Sequence, residues 1–174
     1  MTLPQVFFAY FAAAIVVLSI IVITRRNPVH SVLFMLLLFF HISGLYLFLN
    51  AEFLAAVQVI VYAGAILVLF LFVVLLLNLR EELLERRYTG TWPLGLILAA
   101  TLFISLYVSL KPLTTGPQGE FSPEVVKAEG NTVVLGKVLY TSYLFPFEVA
   151  SLVLLVAIIG AIVLAKKRHT PEVK

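Results

Sequence analysis

Side chains able to bind or move a proton are scarce inside the apolar stretches of this sequence. Those that fall within them or at their ends include His41, Glu52, Gln58, Tyr62 and Glu148. A histidine could relay a proton near neutral pH, and a carboxylate left charged in hydrocarbon costs several kcal/mol, so an intramembrane acid is a functional hypothesis by default. Each residue also has a plainer reading. His41, with Ser43 and Tyr46 nearby, carries no second ionisable group on its own stretch, which favours a hydrogen-bonded packing histidine over a relay. Glu52 and Glu148 lie close to expected helix N-termini, where free N–H groups and the macrodipole favour an anion.

Gln58 and Tyr62 recur with Ala51, Ala55 and Ala65 at a 4-3-4-3 spacing, which puts all five on one face of an α-helix. Such a small, polar face should look at protein. It reads either as a packing seam, where small residues let helices approach and Gln or Tyr bonds across, or as part of a proton or substrate path. Further small residues stand at Gly95 and Ala99, and at Ala157, Gly160, Ala161 and Ala165. A chain with several such seams is built to pack against other helices.

Some chemistries are excluded outright. There is no Cys, hence no thiolate for an iron–sulfur cluster, no disulfide and no thiol nucleophile, and there is no Asp. Of the three His, only His41 lies well inside an apolar run, with His30 and His169 at run ends, so two axial haem ligands at one depth are not available. No catalytic residue, metal site or cofactor site is expected on this chain.

The elements that carry these residues follow from hydropathy. With 62% hydrophobic residues among 174 and a mean hydropathy of +1.10, the chain has more apolar surface than a soluble domain of this size can bury. It is expected to be an all-α integral membrane protein, one membrane domain over 1–174. Five uncharged runs read as spans, at about 4–24, 29–49, 53–78, 92–110 and 144–165. The first has no basic residue before it and is too long for a signal-peptide core, so it is kept as a helix.

Five spans put the termini on opposite sides. Arg25, Arg26, Arg80, Arg86, Arg87, Lys166, Lys167, Arg168 and Lys174 share one face, nine basic residues against Lys111, Lys127 and Lys137 on the other. The positive-inside rule then places the N-terminus outside and the C-terminus in the cytoplasm. The segment 111–143 becomes an external loop punctuated by Pro and Gly, with a short helix after Ser122-Pro123-Glu124 that stops at Gly130, and with Leu135 to Tyr143 near the headgroups. No basic face suits nucleic acid, and no internal repeat suggests a transporter of paired halves.

Three stretches carry a family likeness: Asn27-Pro28-Val29-His30-Ser31; Asn50-Ala51-Glu52-Phe53 through Val61-Tyr62-Ala63-Gly64-Ala65-Ile66 and Val68 to Phe72; and Phe147-Glu148-Val149-Ala150-Ser151 running into Ala157-Ile158-Ile159-Gly160-Ala161. Together they resemble the J-subunit family of bacterial proton-pumping NADH:quinone oxidoreductase, respiratory complex I. The third-span stretch is the specific part; the fourth span and the 111–143 loop are generic.

The resemblance implies a multi-pass subunit of the bacterial inner membrane with its N-terminus on the outer face. It implies a π-bulge in the third helix, which falls here on Val61, Tyr62, Ala63, Gly64 and Ala65, and a switch in that helix that couples quinone reduction to proton translocation. NADH, FMN, iron–sulfur clusters and quinone would be bound by other subunits. Partners would be neighbouring membrane subunits bearing intramembrane glutamates and the quinone site, together with the lipid bilayer. The alternatives are a purely structural assembly subunit or a subunit of a related cation antiporter complex.

Overall fold

The computed structural model describes residues 2–77, 92–110 and 121–166. Arg80, Arg86, Arg87, Lys111, Lys167, Arg168, His169, Lys174 and the 111–120 portion of the expected loop lie outside the described residues. The chain divides into two compact units, Met1–Ser122 and Pro123–Lys174.

In the first unit, α1 spans Leu3–Thr24 and α2 Pro28–Phe48. The turn between them is written in side-chain chemistry. Pro28 sits in the first turn of α2, where a missing N–H costs nothing, and the Val29 N–H donates to Asn27 Oδ1 at 2.9 Å, so Asn27 is the N-cap. Ser31 then ties the helices together by donating to the Val22 carbonyl at 2.9 Å. Farther along, a Cβ on Gly44 would stand 2.7 Å from Phe11 Cε1, so a side chain there would have to displace the Phe11 ring.

α2 ends in a Schellman motif. Asn50 takes φ +57°, the Ala51 N–H donates to the Tyr46 carbonyl and the Asn50 N–H to that of Leu47; asparagine tolerates this left-handed position better than most residues. The chain turns directly into the third span, which is continuous from Glu52 to Leu76. It has three parts: α3 (Glu52–Val57), a π-helical run (Gln58–Ile66) and α4 (Leu67–Leu76).

α5 (Trp92–Leu110) completes the unit, and all its described side chains are exposed. In the second unit, α6 (Pro123–Glu129), α7 (Asn131–Tyr140) and α8 (Leu144–Ala165) follow one another. Gly130, at φ +92°, separates α6 from α7 in a conformation that favours glycine. Lys137 pairs with Glu129 at 2.8 Å, and Tyr140 meets Phe147 edge-on with ring centroids 5.3 Å apart.

Among the described residues, five helices are long and apolar enough to cross a membrane, at about 1.5 Å of rise per residue. The protein is all-helical over the described residues. On α8, Phe147 and Gly160 alone are half-buried and the rest is exposed, with open space where a Cβ on Gly160 or on Gly95 of α5 would stand. Among the described residues, the buried ones lie on α1, α2 and the third span, with Val134 on α7.

Candidate functional site

The site is the seam where α2 meets the third span. Ser43 and Gln58, the two buried polar residues described, both lie here. The Ser43 hydroxyl donates to the Ala55 carbonyl at 3.0 Å, fastening α2 to the third span one residue-turn before the π-helical run begins. Removing that hydroxyl by Ser43→Ala is expected to lower stability by about 1 kcal/mol, within the range of interhelical hydrogen bonds in membranes. The check is an SDS-unfolding titration in mixed micelles; an unmoved midpoint would show that the bond contributes nothing.

At the start of the run the Gln58 N–H reaches carbonyls three and four residues back, Ala55 and Leu54. At its end the Leu67 N–H reaches the carbonyls of Gly64 and Tyr62, three and five residues back. The run therefore holds a wide turn. It contains Val61, Tyr62, Ala63, Gly64 and Ala65 and extends beyond them to nine residues, longer than a single-turn bulge.

The wide turn changes which residues face α2. The buried positions are Ala55, Gln58, Ala63, Leu67 and Val74, successive steps of three, five, four and seven. An α-helix makes steps of three or four along one face; the step of five from Gln58 to Ala63 marks the inserted residue. The face expected from sequence, Ala51, Ala55, Gln58, Tyr62 and Ala65, is thus corrected beyond Gln58. Tyr62 is 47% exposed, whereas Ala63 is 6% exposed, and Ala65 is exposed. Tyr62 touches α2 only at its margin, edge-on to Phe39 with ring centroids 5.9 Å apart.

Gly64 lies in the middle of this geometry. A Cβ there would stand 3.3 Å from the Val59 carbonyl oxygen, five residues back. Backbone cannot swing aside as a side chain can, so any other residue at 64 presses on the wide turn itself. The residues flanking the run remain in the right-handed helical region, Val57 at φ −60°, ψ −41° and Leu67 at φ −67°, ψ −38°. Closing the run to α geometry requires neither end to leave that basin.

The other singled-out residues lie apart from the run's wide turn. His41 Nδ1 is 2.8 Å from the Leu37 carbonyl and Nε2 is 3.3 Å from the Tyr10 hydroxyl. A carbonyl only accepts, so Nδ1 carries the proton, and the Nε2 of a neutral ring accepts from Tyr10. Tyr10 of α1 was invisible as a partner in the sequence because the pairing crosses helices 31 residues apart. Glu52 is the first residue of α3 and exposed, where the helix dipole favours an anion. Glu148 is exposed and is the fifth residue of α8, which starts at Leu144. Of the two readings open for Glu148, this position does not favour N-terminal capping, since the free N–H groups lie before Phe147, whose N–H already donates to the Tyr143 carbonyl.

Fold and site together define a multi-pass α-helical membrane protein whose third span is interrupted by π-helical geometry. The family model for NADH-ubiquinone/plastoquinone oxidoreductase chain 6 matches residues 18–164, and the chain belongs to that family. NADH-quinone oxidoreductase subunit J of Rhodobacter capsulatus is 40% identical over 172 residues, 96% of this chain and 83% of the relative. NADH-ubiquinone oxidoreductase chain 6 of Marchantia polymorpha is 38% identical, over 95% and 88%. NAD(P)H-quinone oxidoreductase chain 6 of a Nostoc strain is 33% identical, over 95% and 81%.

Proposed function

We propose that this chain is the J-type membrane subunit of a bacterial proton-pumping NADH:quinone oxidoreductase, and that its third span helps couple quinone reduction to proton translocation by passing between π and α geometry. One observation carries the switch: the buried face steps by five from Gln58 to Ala63. Were the run to close to α geometry, the span beyond it would turn by about 100°, one residue's share of a 3.6-residue turn. Tyr62 would then enter the seam in place of Ala63, and a large ring would meet α2 where a methyl group meets it now. A helix that exchanges so large a side chain for so small a one cannot leave its neighbours unmoved in a close-packed interior.

The chain's part is mechanical, and we place no redox centre on it. With no Cys and no Asp, it offers nothing for a cluster, and NADH, FMN, iron–sulfur clusters and quinone are assigned to other subunits. The intramembrane glutamates of neighbouring subunits supply the proton-carrying groups missing from its own spans. The distribution of Lys and Arg supports an outer N-terminus and a cytoplasmic C-terminus in the inner membrane. The bare faces of α5 and α8 favour a second reading in which the subunit only holds neighbours together.

Extraction of a tagged form in mild detergent is the first test. Membrane and NADH-oxidising subunits of the complex are expected to co-purify with it. Their absence from a preparation that retains the chain in folded form would overturn the assignment.

A further inference from the structure

Away from the seam, the turn between α1 and α2 opens a cleft of about 470 Å³ lined by Thr24, Arg25, Arg26, Asn27 and His30. Its walls are anchored on both sides. Thr24 Oγ1 donates to the Ile20 carbonyl at 2.7 Å and the Arg25 N–H to that of Ile21 at 3.1 Å, while Asn27 caps α2. The backbone is thus held while the cationic side chains stay exposed.

The Arg25 guanidinium carbon stands 5.0 Å from the centroid of the Phe34 ring. Contact with an aromatic face limits the side chain's rotamers yet engages none of its N–H donors. Among the described residues, no carboxylate pairs with Arg25 or Arg26. Two guanidinium groups and an imidazole therefore share one cleft, with no carboxylate among the described residues paired to either guanidinium. A topological signal needs positive charge in this turn, but it needs neither a cleft nor an aromatic support.

Apolar surface adjoins the cleft. Ile20 and Ile23 on the last turns of α1 and Leu33 on the second turn of α2 are exposed, Ile23 to 81%. A ligand that suits both parts is anionic at one end and hydrocarbon at the other. We propose that this cleft binds the phosphodiester headgroup of an anionic phospholipid, with its acyl chains along the exposed apolar residues of α1 and α2. Arg–phosphate pairs are commonly bidentate, which suits the planar donors of Arg25 and Arg26. Basic pockets between transmembrane helices at the cytoplasmic side are fitted to such headgroups.

The test is native mass spectrometry of the full chain in mild detergent with phosphatidylglycerol or phosphatidylcholine of matched acyl chains. Phosphatidylglycerol is expected to be retained about tenfold better or more, as two surface cations would give. Arg25→Gln with Arg26→Gln should bring it down to the phosphatidylcholine level. Arg25→Lys with Arg26→Lys, which keeps the charge but loses the planar fork, should fall between. Equal retention of the two lipids by the unaltered chain overturns the proposal without recourse to any variant. Displacement of bound phosphatidylglycerol by millimolar inorganic phosphate would reassign the cleft to a soluble phosphate and overturn the lipid assignment.

Discussion

Gly64→Val in the assembled enzyme is expected to lower proton pumping several-fold while the complex still forms. Two effects act in the same direction. A Cβ would stand 3.3 Å from the Val59 carbonyl in the present geometry, and overpacking of this kind costs about 1–3 kcal/mol. Valine is also a better former of regular α-helix than glycine, by a few tenths of a kcal/mol. Both disfavour the π-helical state, and 1–3 kcal/mol moves a two-state balance by roughly 5- to 150-fold. Gly64→Ala, with the Cβ but no branches, should give a smaller effect of the same sign. The measurement is protons moved per electron in reconstituted vesicles. Unchanged pumping with retained assembly and electron transfer sinks the gate. If every third-span variant instead fails to assemble, and any that does assemble pumps normally, the structural reading stands.

Much of this could be read from the chain, and the reasons are local. Lipid imposes a simple rule on sequence, because a span must be apolar for its whole length and charge is pushed to the ends. Five apolar helices were therefore visible in composition alone. The start of α2 was legible too, since Asn27, Pro28 and Val29 are sequence neighbours and the cap they form needs no other part of the chain.

What stayed hidden depended on contacts or on geometry that departs from 3.6 residues per turn. Tyr10 and His41 meet across two helices, and neither residue's own surroundings announce the other. Tyr62 was placed on the buried face because extrapolation from Ala55 and Gln58 presumes regular α geometry; one extra residue in the turn puts Ala63 there instead. The family likeness put an irregularity at Val61 to Ala65 but could not say which way the side chains beyond it would turn. At the fifth span, the helix starts at Leu144 and Glu148 is its fifth residue, past the free N–H groups of the first turn.

Deleting Ile60 should do what deletion in a membrane helix normally does not, and leave the packing intact. Ile60 is 69% exposed and lies between Gln58 and Ala63, where the step of five occurs. Without it, Ala55, Gln58, Ala63, Leu67 and Val74 are separated by three, four, four and seven residues, which is an ordinary α-helical face. The seam against α2 would be kept by a helix with no spare residue, and hence no second register to adopt. Assembly is expected to remain near that of the unaltered enzyme while proton pumping per electron falls to about a tenth or less, the response to a bias of about 1.4 kcal/mol or more. Deletion of Leu69, beyond the run, is the control. It would rotate Val74 about 100° out of the seam and should cost assembly itself. Native gels and pumping assays on the two strains separate the possibilities. Normal pumping after loss of Ile60 means that no switch operates there, and equal loss of assembly in both deletions means that the π-helical run does not hold one removable residue.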